Sequence, residues 1–293
     1  MERCQDTARQ IACYRRGYQV LWSKSLRVRN RLVLLGLAII VVMILGALLA
    51  PLLTPYDPNA QQLNEGLSRP SWSHPLGQDR LGRDILARTL YGARISLWVG
   101  ISTALISLII GMIIGATAGF LGGVVDEMLT RVIDVLLAFP GILLALVLMA
   151  LLGPSLNNVI LALCLVGWVG YARLARAQVL SIRERTYITA ARSIGATQGR
   201  IICSHILPNI LPPLLVEATF GIGGAIVGEA GLSFLGFGVQ PPTPSWGAML
   251  NEGRQFLLIA PHLTTFPGLA IMLVVLGFNF FGDGLRDMLD PRL

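Results

Sequence analysis

Lysine is nearly absent from this chain: of 293 residues only Lys24 is a lysine, and every other basic side chain is an arginine. A phosphate-cradling P-loop needs a glycine-rich turn that ends in Gly-Lys-Ser or Gly-Lys-Thr, whereas Lys24 sits in WSKS with no glycine beside it. ATP hydrolysis through such a loop is therefore excluded. Histidine is also scarce. His74, His205 and His262 lie far apart, a spacing that suggests no metal site. The four cysteines, Cys4, Cys13, Cys164 and Cys203, are not placed to pair in a stable disulfide. The chain has no GxSxG elbow and no HExxH helix, and its 16 acidic residues are scattered rather than paired. Catalysis is not expected, and no cofactor is expected in this chain.

Charge is the largest deficit. Only 13% of residues are charged, about half the share usual in soluble domains, while 54% are apolar and the mean hydropathy is +0.68. Such a chain belongs in a bilayer. Six apolar stretches approach the roughly 20 residues that a helical span requires, near 32–53, 95–119, 132–152, 156–172, 210–230 and 261–282. The first is too long and too far from the start for a cleaved signal peptide and reads as an anchor. Residues 1 to about 20 match no pattern, and a native start nearer Val20 is one reading of them.

Arginine placement orients the spans. If segment 1–31, the turn at Arg131, the loop 173–209 and the tail 283–293 share one side, that side holds 17 basic residues and the other, 54–94 with 231–260, holds six. Basic residues favour the cytoplasmic face, so both termini are expected there. The net charge of +7 is then explained by topology and anionic lipid. No aromatics are interleaved with a basic patch, so no nucleic-acid partner is expected.

Several features inside this frame ask for a purpose. TAARSIGATQGRIICSHILP, Thr189 to Pro208, is poor in the hydrophobicity that surrounds it. Ala190, Ala191 and Ile194 are expected on one face of a short helix, Gly195 at a sharp turn, and a second short helix is expected to end at Pro208. Two short helices at an angle make a rigid knob suited to a groove on another protein. From Asp79 to Arg94, charges recur at helical spacing with Leu81, Ile85 and Leu86 between them, the pattern of an amphipathic helix lying on the outer face. In PPTPSWG the prolines stiffen a loop and Trp246 is expected at the bilayer interface, in docking, gating or anchoring. Gly111, Gly115 and Gly119 strip one face of the second span for close helix contact, within this chain or against a partner. Gly221, Gly223, Gly224 and Gly228 in the fifth span serve packing or a flexible gate.

An acidic side chain costs about 2.5–3.5 kcal/mol at the centre of a membrane helix and rarely faces lipid. Asp134 is expected to pair with Arg131. Glu217 has no sequence neighbour to pair with and is the leading candidate to line a pathway, with a hydrogen bond to another helix as the alternative. Glu229 is a second candidate, at the outer mouth. The tail residues Asp283, Arg286, Asp287 and Asp290 read as a solvated helix end.

The stretch TAA, three residues, Gly195, nine residues, then His205-Ile206-Leu207-Pro208 resembles the EAA loop of permease subunits of binding-protein-dependent ABC importers. In that family this loop forms coupling helices that insert into the ATPase subunits. The resemblance implies that role for Thr189, Ala190, Ala191, Gly195, His205, Leu207 and Pro208, although Thr189 stands where Glu is usual and His205 where Ile is usual. HPLGQDRLGRDILAR, with Gly77, Asp79, Gly82, Arg83 and Asp84, is similar to the segment after the first span in the second permease subunit of peptide, nickel and glutathione importers. LSFLGFGVQPPTPSWGAML, with Pro241, Pro242 and Trp246, and FNFFGDGLRDMLDPRL are similar to its late periplasmic loop and its tail.

What the resemblance implies is an all-α integral membrane protein of the type I ABC importer permease fold. Its parts would be a cytoplasmic segment 1–31, an anchor 32–53, a periplasmic loop 54–94 with its amphipathic helix, a five-helix core 95–282 containing the coupling loop 173–209, and a tail 283–293. The implied function is uptake of di- or oligopeptides across the cytoplasmic or inner membrane, with glutathione or a nickel chelate as alternative cargo. The implied partners are a second permease, two cytoplasmic ATPases that bind ATP and Mg, an extracytoplasmic substrate-binding protein, and lipid. A self-contained, ion-coupled secondary transporter is a reading of another class. It calls for inverted repeats and ionisable residues clustered at mid-membrane, where only Glu217 lies.

Overall fold

The computed structural model describes residues 31 to 289; the segment 1–30, with Cys4, Cys13 and Lys24, and the last residues from Asp290 lie outside it. The described residues form helices joined by short loops and one long one. Five helices are long and apolar enough to cross a membrane: α1 (Arg31–Leu48), α2 (Ile85–Leu121), α5 (Leu156–Arg183), α7 (Gln198–Phe234) and α9 (His262–Leu289). Two shorter apolar helices, α3 (Gly123–Leu137) and α4 (Gly141–Leu152), meet at 84° and together are long enough for a sixth span. Pro140 explains the break, because it has no N–H to continue the ladder of α3 and its fixed φ starts α4 afresh. The short α6 (Thr186–Ser193) and α8 (Trp246–Gly253) lie at opposite ends of the bundle. We call these the knob end and the loop end.

The long helices pack through missing side chains. In lipid no hydrophobic force pushes helices together, so backbones must approach to gain dispersion energy. A Cβ on Gly111 would stand 2.5 Å from the Trp168 carbonyl and from Tyr171 Cβ, one on Gly115 would overlap the Ala172 carbonyl, and one on Gly119 would meet Val179 at 3.0 Å. The glycine stripe is thus the α2–α5 seam, inside this chain. On the other flank α1 lies against α9, where Gly36 approaches Gly277 and Phe281, while Leu34, Val42 and Leu48 point outward.

Helix α2 has 37 residues, about 55 Å at 1.5 Å per residue, against a hydrocarbon core of about 30 Å. Its first turns therefore belong to the loop end. The expected surface helix from Asp79 to Arg94 does not form. Residues up to Asp84 are a folded loop, and Asp84 caps α2 by accepting from Ala87 N at 2.7 Å. Charges that look amphipathic in sequence are buried among one another. Asp79 accepts from Arg83 Nε at 2.6 Å, Arg83 Nη2 donates to Glu252 of α8 at 2.5 Å, and Arg88 Nη2 reaches the same Glu252 oxygen at 3.2 Å. His74 Nδ1 lies 2.8 Å from the capping Asp84. Gly77 and Gly82 hold φ of +83° and +71°, where a side chain would collide with the Ser68 and Gln62 carbonyls.

Trp246 is not at an interface. It is 0% exposed and donates Nε1–H to the Thr89 carbonyl at 3.0 Å, locking α8 onto α2, while Pro241 and Pro242 remain exposed in the preceding loop. Arg131 pairs with Glu127 one turn back, at 2.5 Å, rather than with Asp134. The i,i+4 spacing brings those side chains together on the helix surface. The inward face of α3 instead pairs Asp126 with Arg176 of α5, bidentate at 2.5 and 2.7 Å.

Candidate functional site

At the knob end, α6 terminates in a hydrogen-bonded left-handed turn. Gly195 N–H bonds the Arg192 carbonyl and Ala196 N–H bonds the Ala191 carbonyl, both at 3.0 Å, with Gly195 at φ +84°. This is a Schellman cap, and it explains why glycine stands here. Thr197 then caps α7 by accepting from Arg200 N. The knob is anchored from beneath: Ile188 of α6 and Ile201, Ile206 and Ile210 of α7 are buried in one cluster with Tyr171, Ala175, Val179 and Ile182 of α5, and Ala191 of α6 is buried too. Ala191 therefore faces inward, whereas Thr189, Ala190 and Ile194 face outward, with Ile194 86% exposed. The expected shared face of the two alanines and Ile194 is split, because adjacent helix positions lie about 100° apart.

Pro208 does not end a helix. Residues Ile202–Ile206 form a π-helical turn, Leu207 N–H bonds the Ile202 carbonyl, and the chain runs on through Pro208, Pro212 and Pro213 into the span. The wider turn accommodates a residue that lacks an N–H. Asn209 Nδ2 satisfies the His205 carbonyl at 2.6 Å. The His205 ring lies 6.4 Å from that of Tyr187 on α6, and Leu207 packs on the cluster below.

Halfway along the long helices lies a groove of about 330 Å³, walled by α2, α4, α5 and α7. Glycines 167, 170, 221, 224 and 228 leave its walls thin, and an added Cβ at Gly221 would overlap the Tyr171 hydroxyl. Glu217, one turn from Gly221, stands exposed on its wall. Thr103 and Ser107 of α2 and Tyr171 of α5 also line it and are buried; their hydroxyls have no hydrogen-bond partner and are closed off from solvent, those of Ser107 and Tyr171 lying against Gly167 and Gly221. These three residues were missed by sequence reasoning. Their signal was the i,i+4 pair Thr103 and Ser107 inside an apolar span.

Glu229 is not part of the groove or of any mouth. It is 0% exposed and accepts from Ser96 Oγ at 3.1 Å and Ser233 Oγ at 2.7 Å, so it joins α2 to α7 near the loop end. A carboxylate withdrawn from water in this way needs such donors. The predicted site residues thus fall into four places: the knob, the groove with Glu217, the buried Glu229 box, and the loop-end scaffold of Gly77 to Asp84 with Pro241, Pro242 and Trp246. Arg88 and Glu252, which complete that scaffold, were also missed; they are 164 residues apart in sequence. Among the described residues no cluster of His, Cys, Asp or Glu that could hold a metal ion is present.

Comparison with known proteins places this geometry. Residues 84–293 match the family described as binding-protein-dependent transport system inner membrane component, and residues 27–70 match the N-terminal membrane domain of oligopeptide transport permease C. The chain is 48% identical over 265 residues to a dipeptide transport system permease of Alkalihalophilus pseudofirmus, covering 90% of this chain and 87% of that one. It is 45% identical over 283 residues to a glutathione transport system permease of Pectobacterium atrosepticum, covering 95% and 92%. A dipeptide permease of Haemophilus influenzae is 44% identical over 271 residues, covering 90% and 92%. Among solved structures, a chain of the inward-facing MetNI methionine ABC transporter aligns with a TM-score of 0.49 at 21% identity, covering 66% of this chain and 94% of that chain.

Proposed function

This chain belongs to the family of binding-protein-dependent transport system inner membrane components, and from that premise we propose that it is a permease subunit of an ABC importer for di- or oligopeptides. It is a multi-pass inner-membrane protein, and the ATPase is a separate subunit. Glutathione, the cargo named for one relative, is itself a small peptide and stays within this class.

The observation that carries the mechanism is that the knob and the groove belong to one packed body. Tyr171 belongs to the cluster beneath the knob and also lines the groove, its hydroxyl lying against Gly221 of α7. Glu217 is exposed at mid-helix, where lipid contact is costly, so the groove faces the second permease subunit and forms half of the pathway. Arginines 183, 185, 192 and 200 gather at the knob end, which supports a cytoplasmic knob and cytoplasmic termini. The scaffold from Gly77 to Asp84, with Pro241, Pro242 and α8, then faces outward as the platform for the substrate-binding protein.

In this mechanism two ATPase subunits, closing on ATP and Mg, grip Thr189, Ala190 and Ile194. The rigid core beneath carries that motion to α5 and α7. The groove opens outward to accept peptide, and hydrolysis resets it. ATP drives the cycle because it binds one state more tightly than the other.

Purification of the tagged chain from its own membrane in mild detergent, followed by mass spectrometry, tests this. A second permease and ATPase subunits are expected to stay bound, with the ATPase subunits alone lost from the Gly195→Arg variant. Recovery of the chain alone, with solute flux in liposomes, refutes the proposal in favour of a self-contained transporter.

A further inference from the structure

The knob carries positive charge that this chain leaves unbalanced. Between Arg173 and Asn209 stand six arginines and a single acidic residue, Glu184. Arg173 lines a pocket with Asp134, Arg176 is taken up by Asp126, and Arg183 by Glu184 and the Gly119 carbonyl. Arg185, Arg192 and Arg200 are exposed, and among the described residues no ion pair or hydrogen bond engages their guanidiniums. Arg192 lies 6.0 Å from the Phe120 ring, a contact that uses none of its N–H donors. Arg185, Thr189 and Arg192 follow one another at intervals of four and three, so they form one exposed stripe of α6, beside the side that Ile188 and Ala191 bury. A carboxylate at position 189 would stand between both guanidiniums and pair with either. Thr189, where the sequence departs from the loops it resembles, brings no charge and leaves both cations free. Just beyond the stripe Ile194 projects, 86% exposed.

We propose that this stripe selects the ATPase subunit by charge: the groove that receives the knob has an apolar floor for Ile194 and carboxylates along the wall that meets Arg185 and Arg192. The inference rests on the reading of the chain as an ABC permease and names the chemistry of its partner's surface. A groove that is basic at that wall is refused, because like charges brought together across an interface cost several times what an exposed pair returns. The stripe therefore supplies partner choice more than strength. Thr189 is the specificity position, since its lack of charge is what keeps both arginines available to the partner.

The test uses the full importer, purified through a tag on this chain from its own membrane and washed with KCl from about 0.1 to about 1 M, over which the Debye length falls from about 10 to about 3 Å. The readout is the ratio of retained to released ATPase. Wild type is expected to lose ATPase as the salt rises. At the salt where wild type keeps half, Thr189→Glu is expected to fall at least about fivefold below Thr189→Gln, the scale of one exposed ion pair; the two variants are alike in size, so the difference isolates charge. The double variant Arg185→Gln, Arg192→Gln should fall as far, and it decides alone if Thr189→Glu does not assemble with the second permease. A ratio for Thr189→Glu equal to or above that of Thr189→Gln overturns the proposal, because a carboxylate there would then meet a neutral or basic wall. Arginines that serve anionic lipid instead would leave the double variant with the wild-type ratio, which also overturns it. Wild type that keeps no ATPase at any salt sinks the importer reading as well, whereas ATPase kept without regard to charge at these positions sinks the acidic groove alone.

Discussion

Replacing Glu252 by alanine removes the anion that faces two guanidiniums at the loop end. Arg83 and Arg88 have side chains 3% and 2% exposed, and Glu252 and Asp79 together balance their charge. The variant leaves Asp79 to serve both, at 2.6 Å from Arg83 but 3.6 Å from Arg88. Breaking a buried pair by removing one partner costs about 3–5 kcal/mol, and the surviving Asp79 argues for the lower end, about 3 kcal/mol. That corresponds to roughly a hundredfold in a local opening equilibrium. Hydrogen exchange reads it directly: the amides of Gln62, Leu67 and Gly82, bonded to the Leu81 and Asp79 carbonyls, should lose about two orders of magnitude of protection. The double variant Arg88→Met, Glu252→Met restores charge balance and should recover most of that loss. A fall of less than about fivefold in the single variant, the scale of an exposed ion pair, would refute the reasoning.

Other substitutions probe the remaining parts. Gly115→Leu forces a side chain into the Ala172 backbone at the α2–α5 seam, and should abolish the monodisperse peak in size-exclusion chromatography of the detergent-solubilised chain. Gly195→Arg adds a side chain where no atom lies within 4 Å, so its cost is limited to the left-handed backbone, about 1 kcal/mol. The spans should keep their thermal stability while the ATPase subunits detach and uptake fails, and normal uptake would remove Gly195 from the coupling surface. Trp246→Ala should cost about 3–5 kcal/mol by leaving a cavity between α8 and α2, measured as a lower midpoint of thermal unfolding in detergent.

Some of this was readable without coordinates because its physics is local. A run of about 20 apolar residues spans a bilayer whatever surrounds it, and glycines four apart must offer a bare helix face. The left-handed turn at Gly195 was also legible, since the chain needs φ near +84° there and glycine adopts it freely. The misread features depend on distant partners. Asp79, Arg83 and Arg88 have helical periodicity, but their environment is set by Glu252, more than 160 residues later. Trp246 looked like an interface anchor because its indole N–H wants a polar partner, and a carbonyl of α2 supplies one inside the protein. Glu229 and Glu217 are alike in sequence, each an acid in one apolar helix. Only the placement of Ser96 and Ser233 makes the first a buried structural tie, and only the neighbouring glycines make the second a groove residue.

The difference between those two glutamates bears on how the molecule moves. Glu229 fastens α7 to α2 near the loop end, whereas the apolar cluster fastens α7 to α5 and α6 at the knob end. Between the two fastenings α7 carries Gly221, Gly223, Gly224 and Gly228, and a Cβ added at Gly224 would meet nothing within 4 Å. That middle is closely packed on its other faces, with Thr219 against Gly282 of α9 and Ile226 against Gly100 of α2, and is open where it lines the groove. Under the proposed mechanism, force applied at the knob would reach the level of Tyr171 through Ile188 and Ile201. Of the two readings the fifth-span glycines invite, packing is the one the contacts support: an added Cβ on Gly221 or Gly228 would strike Tyr171 or Leu163, which leaves Gly224 as the open position on the groove wall that Glu217 shares.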